Sequence, residues 1–303
     1  MRGRFAPSPT GELHVGNLRT ALAAWCSARS QGGGFVVRME DLDPVTSSPD
    51  HEAGQLADLA RLGVVGDGTV VRQSERFELY RDAIDRLDRR GLVYPCYCTR
   101  REIREASTAP HGDPVPDGAY PGTCRHLTAD ECARREADGR RPALRLRTAG
   151  ERHTVDDLVA GRFTGAVDDV VLQRNDGVPA YNLAVVIDDH LQGVTEVVRG
   201  DDLLPSTPRQ IHLQQLLGLE TPVYAHVPLV VGDDGVRLAK RHGAVTIARL
   251  LERGVTVERL LAVLGAGLGL CRADESIEAA ELAARFDWAR VPRQPFTWRD
   301  DLL

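Results

Sequence analysis

Three groups of residues in this 303-residue sequence have types and spacings suited to chemistry. The first is the run Arg4-Phe5-Ala6-Pro7-Ser8-Pro9-Thr10-Gly11-Glu12-Leu13-His14-Val15-Gly16-Asn17. Residues 2–6 read as extended, two prolines and a glycine force a turn, and Leu18, Ala21, Leu22 and Trp25 then recur at helical spacing. A strand feeding a helix N-terminus turns free backbone N–H groups and the positive end of the helix dipole toward incoming negative charge. In open α/β sheets such junctions bind ligands. His14 stands on that rim, and Gly16 leaves room for a ligand against the backbone.

The second group is a single residue. Of 38 basic residues, Lys240 is the one lysine and all the others are arginine. Most positive charges here tolerate arginine, so a position that stays lysine is a candidate for needing a compact ammonium and not a planar fork. Lys240 lies in Arg237-Leu238-Ala239-Lys240-Arg241, on the return arm of a hairpin expected over 224–242 and turning at Asp233-Asp234-Gly235.

The third group is thiol-based. Cys96 and Cys98 are followed by Pro110, Pro114, Pro116 and Pro121 and then by Cys124, a stretch with little helical or strand pattern. Something other than a core must order it, and one zinc ion held by these three thiolates and a fourth ligand would do so. His111, His126 and Cys132 are the chemically obvious fourth ligands. Thr128 and Glu131 have capping-box spacing, which would put Cys132 inside a helix of its own. Cys26 and Cys271 fall in or after apolar helical stretches and read as packing residues.

The elements that must position these groups follow from periodicity. A second strand, 35–40, ends in the acidic stretch Glu40-Asp41-Leu42-Asp43, able to hold an amino group or a metal, or simply to face solvent as a turn. Helices are expected over 51–63 and 75–90, completing the first half of a Rossmann-like domain. Residues 144–147 alternate as a strand, 170–174 read as a buried strand returning to the sheet, and 195–200 as another with Arg199 at its exit. Thr207-Pro208-Arg209-Gln210 has capping-box spacing and starts a helix ending at Gly218. Residues 244–303 are helical by pattern. With 42% hydrophobic content the chain can bury a substantial core, and no apolar run approaches membrane-spanning length. The expected location is the cytoplasm, without membrane attachment, and the chain is expected to be a monomer. A formal charge of −6 argues against broad non-specific nucleic-acid binding but leaves room for a local basic face.

The run from Arg4 to Asn17 resembles the first signature of the glutamyl and glutaminyl branch of class I aminoacyl-tRNA synthetases, with His14-Val15-Gly16-Asn17 at their "HIGH" motif. Residues 237–241 resemble the second signature, "KMSKS", with arginine replacing its first lysine, alanine its first serine, and Lys240 at its second lysine. The resemblance implies an α/β fold: a Rossmann-like parallel-sheet catalytic domain with an inserted zinc-binding subdomain and a C-terminal helical region. On it we divide the chain into 1–95 and 166–235 as the two halves of that domain, 96–165 as the insert, and 236–303 as the second-signature loop with a helical, stem-contacting region.

The resemblance also implies site residues. His14, Gly16, Asn17 and Lys240 would bind ATP, which carries Mg²⁺, with His14 and Lys240 catalytic. Arg4, Ala6, Ser8, Glu40, Tyr181 and Arg199 would bind L-glutamate, the two arginines clamping its side-chain carboxylate while Glu40 takes the α-ammonium. The pattern C-x-C, long loop, Y-x-x-x-C resembles the zinc site of the short paralogues of glutamyl-tRNA synthetase, which makes Tyr120 the fourth ligand beside Cys96, Cys98 and Cys124. Those paralogues lack the anticodon-binding region and place glutamate on the queuosine base in the anticodon loop of tRNA(Asp), and the length of this chain favours the same partner. Val185 replaces an asparagine of ordinary glutamyl-tRNA synthetases, which implies a different amino-acid pocket. Two other readings stay open: an ordinary or discriminating enzyme charging the terminal ribose, and a non-catalytic paralogue binding glutamate, ATP or RNA.

Overall fold

A computed structural model describes residues 1–107, 119–238, 245–299 and 302, the side chains of 104–107 excepted. Phe35, Val37 and Met39, apolar and buried, lie in the strand Gly34–Met39, which pairs in parallel with Arg2–Phe5 on one side and Val71–Arg72 on the other. Val197, Val198, Ala225 and Val227 likewise fill Glu196–Gly200 and Val223–Val227, a second parallel pair. Near-continuous apolar strands of this kind are those covered on both faces, where parallel sheets occur. The Thr195 N–H donates to the Arg2 carbonyl at 2.9 Å, and Arg4 Nη1 donates to the Val198 carbonyl at 2.7 Å, drawing the two pairs together. The carboxyl ends of Arg2–Phe5, Gly34–Met39 and Glu196–Gly200 thus open on one rim.

The helix Val15–Ser30 buries Leu18, Leu22 and Cys26 against this sheet and against the later helices Val257–Gly267 and Ala279–Ala284. Arg19, 1% exposed, fastens it to the end of Val223–Val227 and of Val257–Gly267, donating to the carbonyls of Pro228 and Gly267, each at 2.7 Å. A second core collects Tyr80, Ile84 and Leu87 of Phe77–Asp88 with Leu183, Val185 and Val186 of Tyr181–Leu191.

Three expectations need correction. The strand near 170 does not rejoin the parallel sheet: Val171–Gln173 pairs antiparallel with Ala143–Leu146, which pairs antiparallel with Val93–Cys96, a separate three-stranded sheet. Its apolar run fits either sheet, and pairing partners decide. Among the described residues the hairpin expected over 224–242 is seen at its tip, where Val231 bridges Arg237 and the Leu238 N–H donates to Val230. Val223–Val227 is instead a parallel strand, and Val230–Val231 pairs with Phe296–Thr297. The helix Thr207–Leu217 has no side-chain cap bond, because Thr207 and Gln210 are engaged by Arg199. It does end at Gly218, whose φ of 71° suits glycine. The capping box at Thr128 and Glu131 forms, and Cys132 lies within the helix Ala129–Ala137. Among the described residues no helix is long and apolar enough to cross a membrane.

Candidate active site

On the carboxyl rim of the sheet lies a cleft of about 500 Å³. Arg4, Ala6, Ser8, His14, Gly16, Asn17, Glu40, Tyr181 and Arg199 all line it, so nine positions singled out in the sequence converge on one space. Lys240 lies outside the described residues. Its flanks do not: the Val15 N–H donates to the Val245 carbonyl at 3.0 Å and His14 bridges Thr246, tying the first signature to the chain just beyond the second.

His14 is the N-cap of Val15–Ser30. Its Nδ1 accepts from the Gly16 N–H at 3.1 Å, and Asn17 Oδ1 accepts from the His14 N–H at 3.2 Å, a reciprocal cap in which Asn17 occupies the third helical position. A Cβ on Gly16 would stand 2.9 Å from His14 Cε1, so only glycine lets the ring fold there. Burial, then the nearby Arg237 charge, lowers the His14 pKa, and a neutral ring whose Nδ1 accepts carries its proton on Nε2.

Charge in the cleft is unevenly committed. Arg38, fully buried behind Glu40, donates to Asp189 and Gln192 at 2.8 Å and lies 3.4 Å from Glu40. Burial raises the Glu40 pKa, against the pull of Arg38 and Arg4. Arg4 Nε has no hydrogen-bond partner among the described residues and sits 3.6 Å from Asp189. Arg199 donates to His226, Gln210 and Thr207, all neutral acceptors. Burial raises the Tyr181 pKa, with Glu40 acting in the same sense, so its hydroxyl stays protonated. Val185, one turn beyond Tyr181, is packed in the second core and does not line the cleft, so its replacement of asparagine alters the packing behind the pocket and not its wall.

The cysteine cluster lies apart. Sγ atoms of Cys96, Cys98 and Cys124 fall within 4.8 Å of one another, with Cys98 and Cys124 at 3.4 Å. Tyr120 Oη sits 3.3 Å from Cys96 Sγ and 3.6 Å from Cys98 Sγ, and accepts from the Cys124 N–H at 2.8 Å. Four donors at this spacing suit a tetrahedral ion with bonds of about 2.3 Å to sulfur, and Arg145, 3.7 Å over the Tyr120 ring, fixes the phenol in place. Hydrogen bonding between the thiols lowers the pKa of Cys124 and raises that of Cys96. Cys132 and His126 do not join the three thiols, and His111 lies outside the described residues.

Sequence reasoning missed the shell behind the arginines: Asp157, Asp189, Thr207, Gln210 and His226. The signal for His226 was present, since a histidine inside the apolar strand Val223–Val227 must find polar partners.

Solved structures that superpose on this chain are glutamate tRNA ligases, which place it in the α/β class I synthetase fold. The glutamate tRNA ligase of Elizabethkingia meningosepticum, solved with its amino acid, superposes with a TM-score of 0.84 at 26% identity, over all of this chain and 68% of its own. Residues 1–302 match the family model for tRNA synthetases class I (E and Q), catalytic domain, and the chain belongs to that family. Among curated relatives, the glutamyl-Q tRNA(Asp) synthetase of Nocardia farcinica is 56% identical over 99% of this chain and 94% of its own. That of Symbiobacterium thermophilum is 49% identical over 97% and 94%.

Proposed function

We propose that the protein is an ATP-dependent ligase that activates L-glutamate as its adenylate and transfers it to queuosine in the anticodon loop of tRNA(Asp). The observation that carries this reading is the convergence of Arg4, Arg199 and Glu40 on one cleft beside the capped N-terminus of Val15–Ser30. Two guanidiniums and one carboxylate complement a side-chain carboxylate and an α-ammonium, with Tyr181 between and the backbone at Ala6 and Ser8 closing the near wall. Among the described residues Arg199 donates to neutral groups only, which suits it to a carboxylate and not an amide.

The substrate α-carboxylate attacks the α-phosphorus of ATP and pyrophosphate leaves. Such a transfer needs positioning and charge stabilisation more than a protein nucleophile. His14 donates from Nε2 to a phosphoryl oxygen, Gly16 and Asn17 open the helix N-terminus to the nucleotide, and Lys240 brings a compact positive charge. Mg²⁺ bound to the nucleotide supplies charge screening on the triphosphate. One Zn²⁺ at Cys96, Cys98, Tyr120 and Cys124 supplies a cross-link for the insert. A hydroxyl of the queuosine base then attacks the carbonyl of the adenylate, the acyl–phosphate bond breaks, AMP leaves and the hydroxyl proton passes to solvent.

The test is transfer of labelled glutamate to two tRNA pools, one from cells that make queuosine and one from cells that cannot. Label is expected only with the first. Equal labelling would return the protein to charging of the terminal ribose, and absence of glutamate-dependent ATP–pyrophosphate exchange would leave a binding protein.

A further inference from the structure

Arg199 is 4% exposed, and among the described residues no carboxylate pairs with it. Its Nε donates to His226 Nε2 at 3.0 Å, Nη1 to Gln210 Oε1 at 2.8 Å, and Nη2 to Thr207 Oγ1 at 2.8 Å and, at 3.5 Å, to the Leu203 carbonyl. A guanidinium buried among neutral acceptors keeps its charge for whatever enters the cleft. Something must still hold it in place.

Behind it, His226 is wholly buried, and its Nδ1 lies 2.6 Å from Asp157 Oδ2. Asp157 Oδ1 accepts from the backbone N–H groups of Val159, Ala160 and His226, at 3.0, 2.8 and 3.0 Å. An ionised carboxylate only accepts, so the imidazole proton sits on Nδ1. Nε2 is then a lone pair facing the Nε–H of Arg199. A proton on Nε2 would set two N–H groups against each other.

We propose that Asp157 and His226 are positioning residues, which fix an acceptor behind Arg199, aim its guanidinium into the cleft and leave its charge to the substrate's side-chain carboxylate. The substrate in this inference rests on the glutamate reading above. Asp157 ends the strand Arg152–Asp157, paired antiparallel with Gly161–Ala166. The amino-acid pocket is therefore braced from a hairpin outside the parallel sheet.

Asp157→Asn is the informative change. Its amide oxygen stays with the three backbone donors, its NH₂ faces His226 Nδ1, and the imidazole proton moves to Nε2. In glutamate-dependent ATP–pyrophosphate exchange, KM for glutamate should rise about 10-fold or more while KM for ATP stays within about 2-fold. His226→Leu should do the same, and His226→Gln, which keeps an acceptor toward Arg199, should stay within about 3-fold of the parent. Nitrogen-15 NMR of histidine-labelled protein supplies a reading independent of activity: Nδ1–H for His226 in the parent, Nε2–H in Asp157→Asn. Unchanged glutamate KM in both damaging variants, or losses of kcat and melting temperature alone, would overturn the inference. So would a parent His226 protonated on Nε2, with the ligase reading intact. A parent without glutamate-dependent exchange would instead overturn that reading, and with it the substrate named here.

Discussion

Arg4, His14, Glu40, Tyr181 and Arg199 reach the cleft from strands and helix ends whose positions are set by parallel pairing and two large cores. The donors of the cysteine cluster come from a strand end and irregular chain, and the core beneath them is Tyr94, Cys96, Tyr97, Tyr120 and Cys124. Three of those five buried side chains are themselves donors. In the cleft, site and scaffold are different residues, whereas in the cluster they are largely the same. The cleft should therefore lose chemistry without losing shape, and the cluster should lose both together.

The strongest challenge to this contrast is Lys240→Ala. Pyrophosphate exchange should fall by about 10³-fold with an unchanged melting temperature. An unaltered rate would remove Lys240 from the mechanism. On the other side, Cys124→Ala should take bound zinc from one per chain to almost none and lower the local stability of residues 93–98 and 119–137 by roughly 3 kcal/mol or more. Hydrogen exchange should show protection lost there and kept in Gly34–Met39. A metal analysis finding no zinc in freshly purified, reduced parent protein would leave the cysteines as packing residues.

Gly16→Ala tests the boundary between the two behaviours, since its Cβ would displace the His14 ring from 2.9 Å away. Exchange should drop about 10-fold or more while stability changes by only ~1 kcal/mol, the worth of a helix cap. Acid should act on the shape of the cleft. Burial is the leading cause that lowers the pKa of His14, His153, His212 and His226. The unfolded chain then binds more protons on these histidines than the folded one below the ordinary histidine range, so their contribution to stability is level above about pH 6.5 and falls as pH drops toward the folded values. For fully buried His226 the slope reaches about 1.4 kcal/mol per pH unit, and urea denaturation across pH 7 to 5 would measure it. Least of all, Gly218→Ala forces a side chain into φ of 71° and should cost ~1 kcal/mol with exchange intact.

The strand, turn and helix around His14 and the thiol spacing were legible because local pattern and chemistry coincide there. Thr207 and Gln210 were misread for a physical reason: side chains three apart share one face of a first turn whether they cap it or hold an arginine. The apolar run at 171–173 was assigned to the wrong sheet because strand pairing is non-local. Asp157 and His226 are 69 residues apart, and no spacing could have joined them.

The 3.4 Å between Cys98 and Cys124 has a consequence for handling the protein. Two sulfurs that close need only a small approach to form a bond of about 2.05 Å, so air is a competitor for the same electrons a metal would use. An ion seated there would act as a protecting group. Chelator-treated samples should therefore be kept under reductant, and the first sign of neglect would be a mass two hydrogens short.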